Sequence, residues 1–238
     1  MSKILIRVVT AVVVVVALVY GGILLYTKVL NPPEEKLGQD DLAAVVDNTT
    51  NTPESDLDNL PVVEDGVAGN WQATEASTVG YRVKEVLGGV DTEGVGRTNQ
   101  VVGSLTISGS TVVSTYFEIE VASIKSDSSK RDGQFAGNIM DTATYPTATF
   151  SLVSPIELGS IPADGESVTA TAVGELTLHG VTQPVEFEVE AQVDNGIIGV
   201  LGSINIVFSD YGIANPSNGF VTTGDTGLLE FVLAFERA

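Results

Sequence analysis

The sequence predicts an all-β domain of about eight antiparallel strands with one short helix, preceded by a single N-terminal transmembrane helix. Three observations carry this expectation. An uncharged apolar run lies near the start, an acidic stretch containing prolines follows it, and from Trp71 onward apolar and polar residues alternate with a period of two.

The apolar run is Val8 to Thr27, "VVTAVVVVVALVYGGILLYT", twenty residues without a charge. As a helix it spans about 30 Å, the thickness of a hydrocarbon core. Lys3 and Arg7 precede it and "NPPEEK" follows Lys28, so the positive-inside rule expects a single-pass cell-membrane protein with the N-terminus cytoplasmic and the rest outside, extracellular or periplasmic. Tyr20 and Tyr26 suit the outer interface. A cleaved signal peptide is the alternative, with "VYG" at 19 to 21 as a loose cleavage site, but the apolar run continues past that point. The expected organisation is an anchor at 1–30, a linker at 31–70 and one barrel or sandwich domain at 71–238.

Residues 31 to 70 hold ten acidic residues, four prolines and one lysine with no sustained period, which reads as an extended, solvated spacer. A flexible segment of that length reaches on the order of 35 Å. Asn48 to Thr50 form an Asn-Thr-Thr sequon.

Alternation is strictest in "VEFEVEAQV", where Val185, Phe187, Val189, Ala191 and Val193 share one face and Glu186, Glu188, Glu190 and Gln192 the other. The same parity groups Val79, Tyr81 and Val83; Val113, Thr115, Phe117, Ile119 and Val121; and Ala148, Phe150 and Leu152. It also groups Ile204, Ile206 and Phe208, and Leu229, Phe231, Leu233 and Phe235. Segments near 99–107 and 167–178 complete about eight strands. Only "DSSKRDGQFAGNIMD" breaks the pattern, and its Phe135 and Ile139, four apart behind Ser and Asp capping candidates, predict one short helix or helical turn. A sandwich and an up-and-down barrel both fit eight such strands, and an apolar interior fits either a packed core or a pocket.

Composition excludes several classes. Eleven basic residues against thirty-one acidic give a net charge of -20, the wrong sign for nucleic acid. There is no cysteine, hence no disulfide, thiol nucleophile or cysteine-held metal, and one histidine leaves no paired-histidine site. No cofactor, metal or catalytic set is expected. That histidine, His179, falls in "LTLHGVTQPV" between two alternating runs, with Gly180 free to take positive φ and Pro184 limiting the next strand, so it reads as a turn residue whose ring links backbone groups. Arg131 and Asp132 in "KRDG" read as a local cap or surface pair, with a ligand headgroup as the sharper alternative. "DTEG" at 91–94 lacks the spacing of a calcium loop, and Gly94-Val95-Gly96 has no following helix to hold a dinucleotide.

"LTLHGVTQPV" resembles the signature of the YceI-like family, lipocalin-like barrels associated with polyisoprenoid binding. "VGYRVKEVL", "VGRTNQVVGSLTISG", "SDSSKRDGQF", "YPTATF", "FSDYGI" and "GLLEFVL" fall in the family's order and approximate spacing, so the resemblance covers about 71–238. The family's "NRSDFG"-like stretch is here "NIVFSDYG", Asn205 to Gly212, without its arginine. The resemblance implies a lipocalin-like β-barrel that binds a long-chain isoprenoid or similar lipid and has no enzymatic activity. With strand parity, it assigns the lumen to Tyr81, Phe117, Ile119, Phe135, Phe150, Leu152, Phe187, Val189, Ile206, Phe208, Phe231 and Leu233. The competing expectation is an extracellular interaction or adhesion domain with a packed core. Oligomeric state is not readable.

Overall fold

The computed structural model describes residues 3–47, 66–159 and 161–238; the sequon at 48–50 lies outside them. Among the described residues, thirteen strands form one antiparallel sheet. In chain order they are β1 (Gly69–Ala73), β2 (Thr78–Leu87), β3 (Val90–Thr98), β4 (Val101–Ser108), β5 (Thr111–Glu120), β6 (Lys125–Ser126), β7 (Thr147–Leu152), β8 (Ile156–Glu157), β9 (Ser167–Leu178), β10 (Val181–Asp194), β11 (Ile197–Val207), β12 (Val221–Thr223) and β13 (Thr226–Arg237).

Eight of them close a ring in the order β1, β4, β5, β7, β9, β10, β11, β13 and back to β1. Closure pairs every ladder and leaves no edge, which is why a chain with this many short alternating strands settles as a barrel. Beside β1, strand β2 runs along the same side of β13: β1 pairs with Phe235–Arg237, and β2 pairs with Leu228–Val232. Strands β3 and β6 extend from β2 and build the wall at the other end. The sandwich alternative is thereby excluded.

The predicted helix forms as α3 (Ser129–Gln134) and continues as a π-helical turn through Phe135–Ile139. Asp132 Oδ1 accepts from the Ser126 N–H at 2.8 Å and from the Ser126 hydroxyl at 2.6 Å, tying the helix to β6. Asp132 thus has a local role, but it ties the helix to β6 and does not cap it, since the N-cap residue is Ser128 and no side chain caps it.

Two local expectations are corrected. Val113 was expected to share the inner face with Thr115 and Phe117. A bulge inserts it between partners of Thr106 and Ile107, so Val112 turns inward and Val113 is 43% exposed. Pro184 does not start a strand, because β10 already begins at Val181. From the two-residue turn, ladder bonds alternate so that Pro184 needs none toward β9, and on its other side β11 pairs only from Val189.

The segment before the barrel departs furthest from expectation. Residues 39–47 are not an extended spacer but a helix, α2 (Gln39–Asp47), whose Leu42 and Val46 are buried against β10, β11 and β13. The residues leading into it lie along the outer wall, with Leu37 buried. Leu42, Val45 and Val46 fit over Gly199, where a β-carbon would stand only 2.8 Å from Leu42 and Val46. We call residues 31–47 the strap. Its apolar residues are too few to show a period, yet they find a complementary wall.

Ahead of the strap stands α1 (Lys3–Leu25), continued by a π-helical turn at Tyr26–Leu30. Over Lys3–Leu30 the mean hydropathy reaches 2.8 and the apolar window is unburied, so by length and composition this helix can cross a membrane.

Candidate functional site: a two-chambered lumen

The barrel encloses two adjoining cavities. The inner chamber, about 140 Å³, is almost wholly apolar. Of the twelve residues assigned to the lumen, Phe117, Ile119, Phe150, Leu152, Phe187, Val189, Phe231 and Leu233 line it. The outer chamber, about 560 Å³, takes Tyr81, Phe135, Ile206 and Phe208. Ile119 touches both chambers, as do Val79, Ala148 and Leu229, so the two share a wall.

A belt of rings crosses the inner chamber. Phe117 and Phe150 lie 6.4 Å apart, Phe150 and Phe187 5.4 Å, and Phe187 and Phe231 6.0 Å. Glycines make this arrangement possible, which parity alone did not show. A β-carbon at Gly103 would stand 2.3 Å from the Phe117 ring, one at Gly174 2.5 Å from Phe150, and one at Gly202 2.4 Å from Phe231. Each ring therefore packs closely over a bare stretch of the neighbouring strand, in space that a side chain there would fill. A glycine amid an alternating strand, as in "VGSLTIS" or "TAVGELTL", was the signal available. Trp71 of β1 is buried, its indole N–H donating to the Val67 carbonyl at 2.9 Å and its ring 4.8 Å from the Arg237 guanidinium carbon.

The outer chamber has a polar side. Tyr81 stacks on Phe135 at 4.7 Å, and burial pushes its hydroxyl well above the ordinary tyrosine range. Glu85 stands four residues along β2 from Tyr81, and Arg131 Nη2 reaches its carboxylate at 3.5 Å while Nη1 pairs with Asp127. Burial raises the Glu85 pKa, and Arg131 only partly opposes this. Gly94 and Gly96, which form no nucleotide motif, supply the floor: β-carbons there would meet Glu85 at 2.5 Å and Tyr81 at 2.5 Å. Arg131 is thus more than a local surface pair, since it lines the chamber. Glu85 was missed because its parity partners, Tyr81 and Val83, gave no reason to expect a carboxylate facing inward.

His179 lies outside the residues lining either chamber. It occupies the tight turn between β9 and β10 with φ +51°, followed by Gly180 at +74°. Both left-handed residues match a two-residue hairpin. Its Nδ1 lies 3.2 Å from the Tyr211 carbonyl, and its ring packs against Tyr145 at 4.6 Å. This is the backbone-linking role expected of it. Among the described residues no group of His, Cys, Asp and Glu is placed to hold a metal ion.

A closed eight-stranded antiparallel barrel with an apolar interior and a polar mouth defines a lipocalin-like architecture. The YceI-like domain matches residues 71–235, and the chain belongs to that family. Solved structures that share the fold include the following two. A polyisoprenoid-binding domain from Saccharophagus degradans, implicated in plant cell wall breakdown, is 21% identical, with 71% of this chain and 98% of that one covered at a TM-score of 0.57. BcnA of Burkholderia cenocepacia is 24% identical, with 68% and 98% covered at a TM-score of 0.54. No curated protein matches the chain.

Proposed function

We propose that this protein is a membrane-tethered, extracytoplasmic lipid-binding protein that holds a polyisoprenoid or other long-chain amphiphile without covalent chemistry, for transport, storage or a stress response. The observation that carries the reading is the pair of adjoining chambers, apolar within and polar at one side of the outer one. A chain buried there releases on the order of 25 cal/mol per Å² of apolar surface, while Tyr81, Glu85 and Arg131 offer hydrogen-bonding partners to a polar end. The outer chamber falls within the size range of ligand pockets, whereas the inner one holds about one benzene ring as it stands. An extended chain therefore fills the outer chamber first, and deeper entry requires the phenylalanine belt to turn. Belonging to the YceI-like family supports the lipid class, and so does the polyisoprenoid-binding description of the Saccharophagus degradans domain. The apolar α1 and the positive charges of Lys3 and Arg7 support the tether and its orientation.

The test is organic extraction of the purified full-length protein followed by mass spectrometry. A long-chain amphiphile should be released from the wild type and lost from Ile206→Asp, which sets an unpaired carboxylate in the outer chamber. Cooperative unfolding of the variant must show that it is still folded. Repeated extraction without lipid leaves the interaction-domain reading in place.

A further inference from the structure

We infer that the open end of the barrel faces the bilayer that α1 spans, and that Phe220 and the end of α1 form a rim set into its surface. The inference rests on the reading of α1 as a membrane span.

A loose tether would leave the orientation of the barrel free, but the end of α1 is docked at the mouth. Ile23 lies against the tip of the β2–β3 hairpin, its Cδ1 only 2.6 Å from where a β-carbon of Gly88 would stand. Thr27 is buried, and Lys28 Nζ donates to the Asp91 carbonyl at 2.7 Å. Across the opening, the Asn31 side-chain amide donates to Asp127. Tyr26, Thr27 and Asn31 consequently line the outer chamber itself.

The helix geometry then sets the depth. At 1.5 Å per residue, Ile23 stands about 22 Å along the axis from Val8, and Tyr26 about 27 Å, against a hydrocarbon core of about 30 Å. A span beginning near Val8 therefore reaches the headgroups near Lys28, about 30 Å along, and holds the hairpin tip within about 8 Å of that boundary. Phe220 shares that tip. Its carbonyl accepts from the Gly88 N–H at 3.2 Å, and Asn218 Oδ1 accepts from the N–H groups of both Phe220 and Val221 at 3.2 Å. These bonds hold its backbone at the tip, while the residue is 84% exposed. An exposed apolar ring beside the emerging end of a membrane span buries itself at the boundary of headgroups and acyl chains, and Tyr26 on that same end is an amphipathic ring of the kind favoured at the interface. With Phe220 also lining the outer chamber, the mouth opens on lipid.

The chain has no cysteine, so single reporters are clean. Phe220→Cys and Val153→Cys would each be labelled with nitrobenzoxadiazole in the full-length protein and reconstituted into phosphatidylcholine vesicles carrying doxyl-labelled lipid. Val153 is also apolar and exposed, and it follows Leu152 of the inner chamber, so it reports the remote end. Quenching at 220 several-fold stronger than at 153 is expected. Equal quenching at the two sites in protein that resists carbonate extraction overturns the rim while leaving the anchor intact. Release by carbonate overturns the anchor, and the rim with it. Neither measurement depends on whether the lumen carries lipid, so lipid binding stands or falls separately.

Discussion

On the outside of the barrel wall, Arg97 Nη2 donates to Glu230 Oε1 at 2.8 Å, beneath the strap. Arg82 Nε reaches the other oxygen of Glu230 at 3.2 Å, and its Nη1 pairs with Glu93 at 2.6 Å. Glu230 has no exposed surface. Burial by itself would lower the Arg82 pKa, but the hydrogen bonds to Glu230 and Glu93 more than offset it and hold the guanidinium above its ordinary value. The strap caps this group, with the Glu34 carbonyl accepting from Arg82 at 2.8 Å and the Glu35 carbonyl from Arg97.

Glu230→Ala removes the central carboxylate and leaves Arg82 buried beside a single acid. Truncating one partner of a buried ion pair costs about 3–5 kcal/mol, and a loss in that range is expected in urea unfolding. A loss below about 1 kcal/mol would show the group behaving as a surface pair.

The strap itself is testable through Gly199. Gly199→Val places carbon atoms where Leu42 and Val46 now lie, and Leu42→Asp sets a charge in the same seam. Both should lower stability by about 2 kcal/mol or more and speed amide exchange over 39–47, with the ladder of β9 and β10 still protected. Unchanged exchange over 39–47 would contradict docking.

Glu85 carries a pH dependence. Its folded pKa lies above the ordinary glutamate value, chiefly through burial. The folded state therefore holds this proton more tightly than the unfolded chain. The resulting stabilisation is fully present below the ordinary glutamate pKa and is lost as pH rises through the raised value. Glu85→Gln should remove that loss on rising pH and raise the melting temperature at neutral pH relative to wild type. Melting temperature measured across the acid range checks it, and an identical profile for the two proteins contradicts it.

His179→Asn should leave lipid content unchanged and cost about 1 kcal/mol, the value of one hydrogen bond, because asparagine tolerates the left-handed turn. His179→Val should cost more, since a β-branched residue does not tolerate φ +51°. Loss of lipid from a folded His179→Asn protein would move the ring into the binding role.

Much of the barrel was legible because a strand with one wet face must alternate, and the twelve residues picked by parity and the short helix all reach the chambers. Val113 was misplaced because a bulge changes parity without a mark in composition. The outer wall was less legible. In "GLLEFVLAF" the apolar residues fall on both faces of β13, and Val232 and Ala234 are buried outside the lumen. A strand apolar at both parities signals cover on both sides, but what supplies the cover was not written beside it.

The sequence by itself determined what local periodicity and chain length dictate: an apolar helix long enough to span a bilayer, alternating strands enough to close a barrel, a turn at His179 with Gly180 free to take positive φ, and an inward apolar face. Only the tertiary structure decided which distant groups meet. It set the strap over Gly199, gathered Arg82, Arg97 and Glu230 beneath it, turned Glu85 and Arg131 toward Tyr81, and brought Phe220 beside the end of α1. The physical reason is that periodicity fixes the direction of a side chain relative to its own strand, whereas burial, charge pairing and cavity shape depend on partners up to about two hundred residues away, which no local pattern encodes.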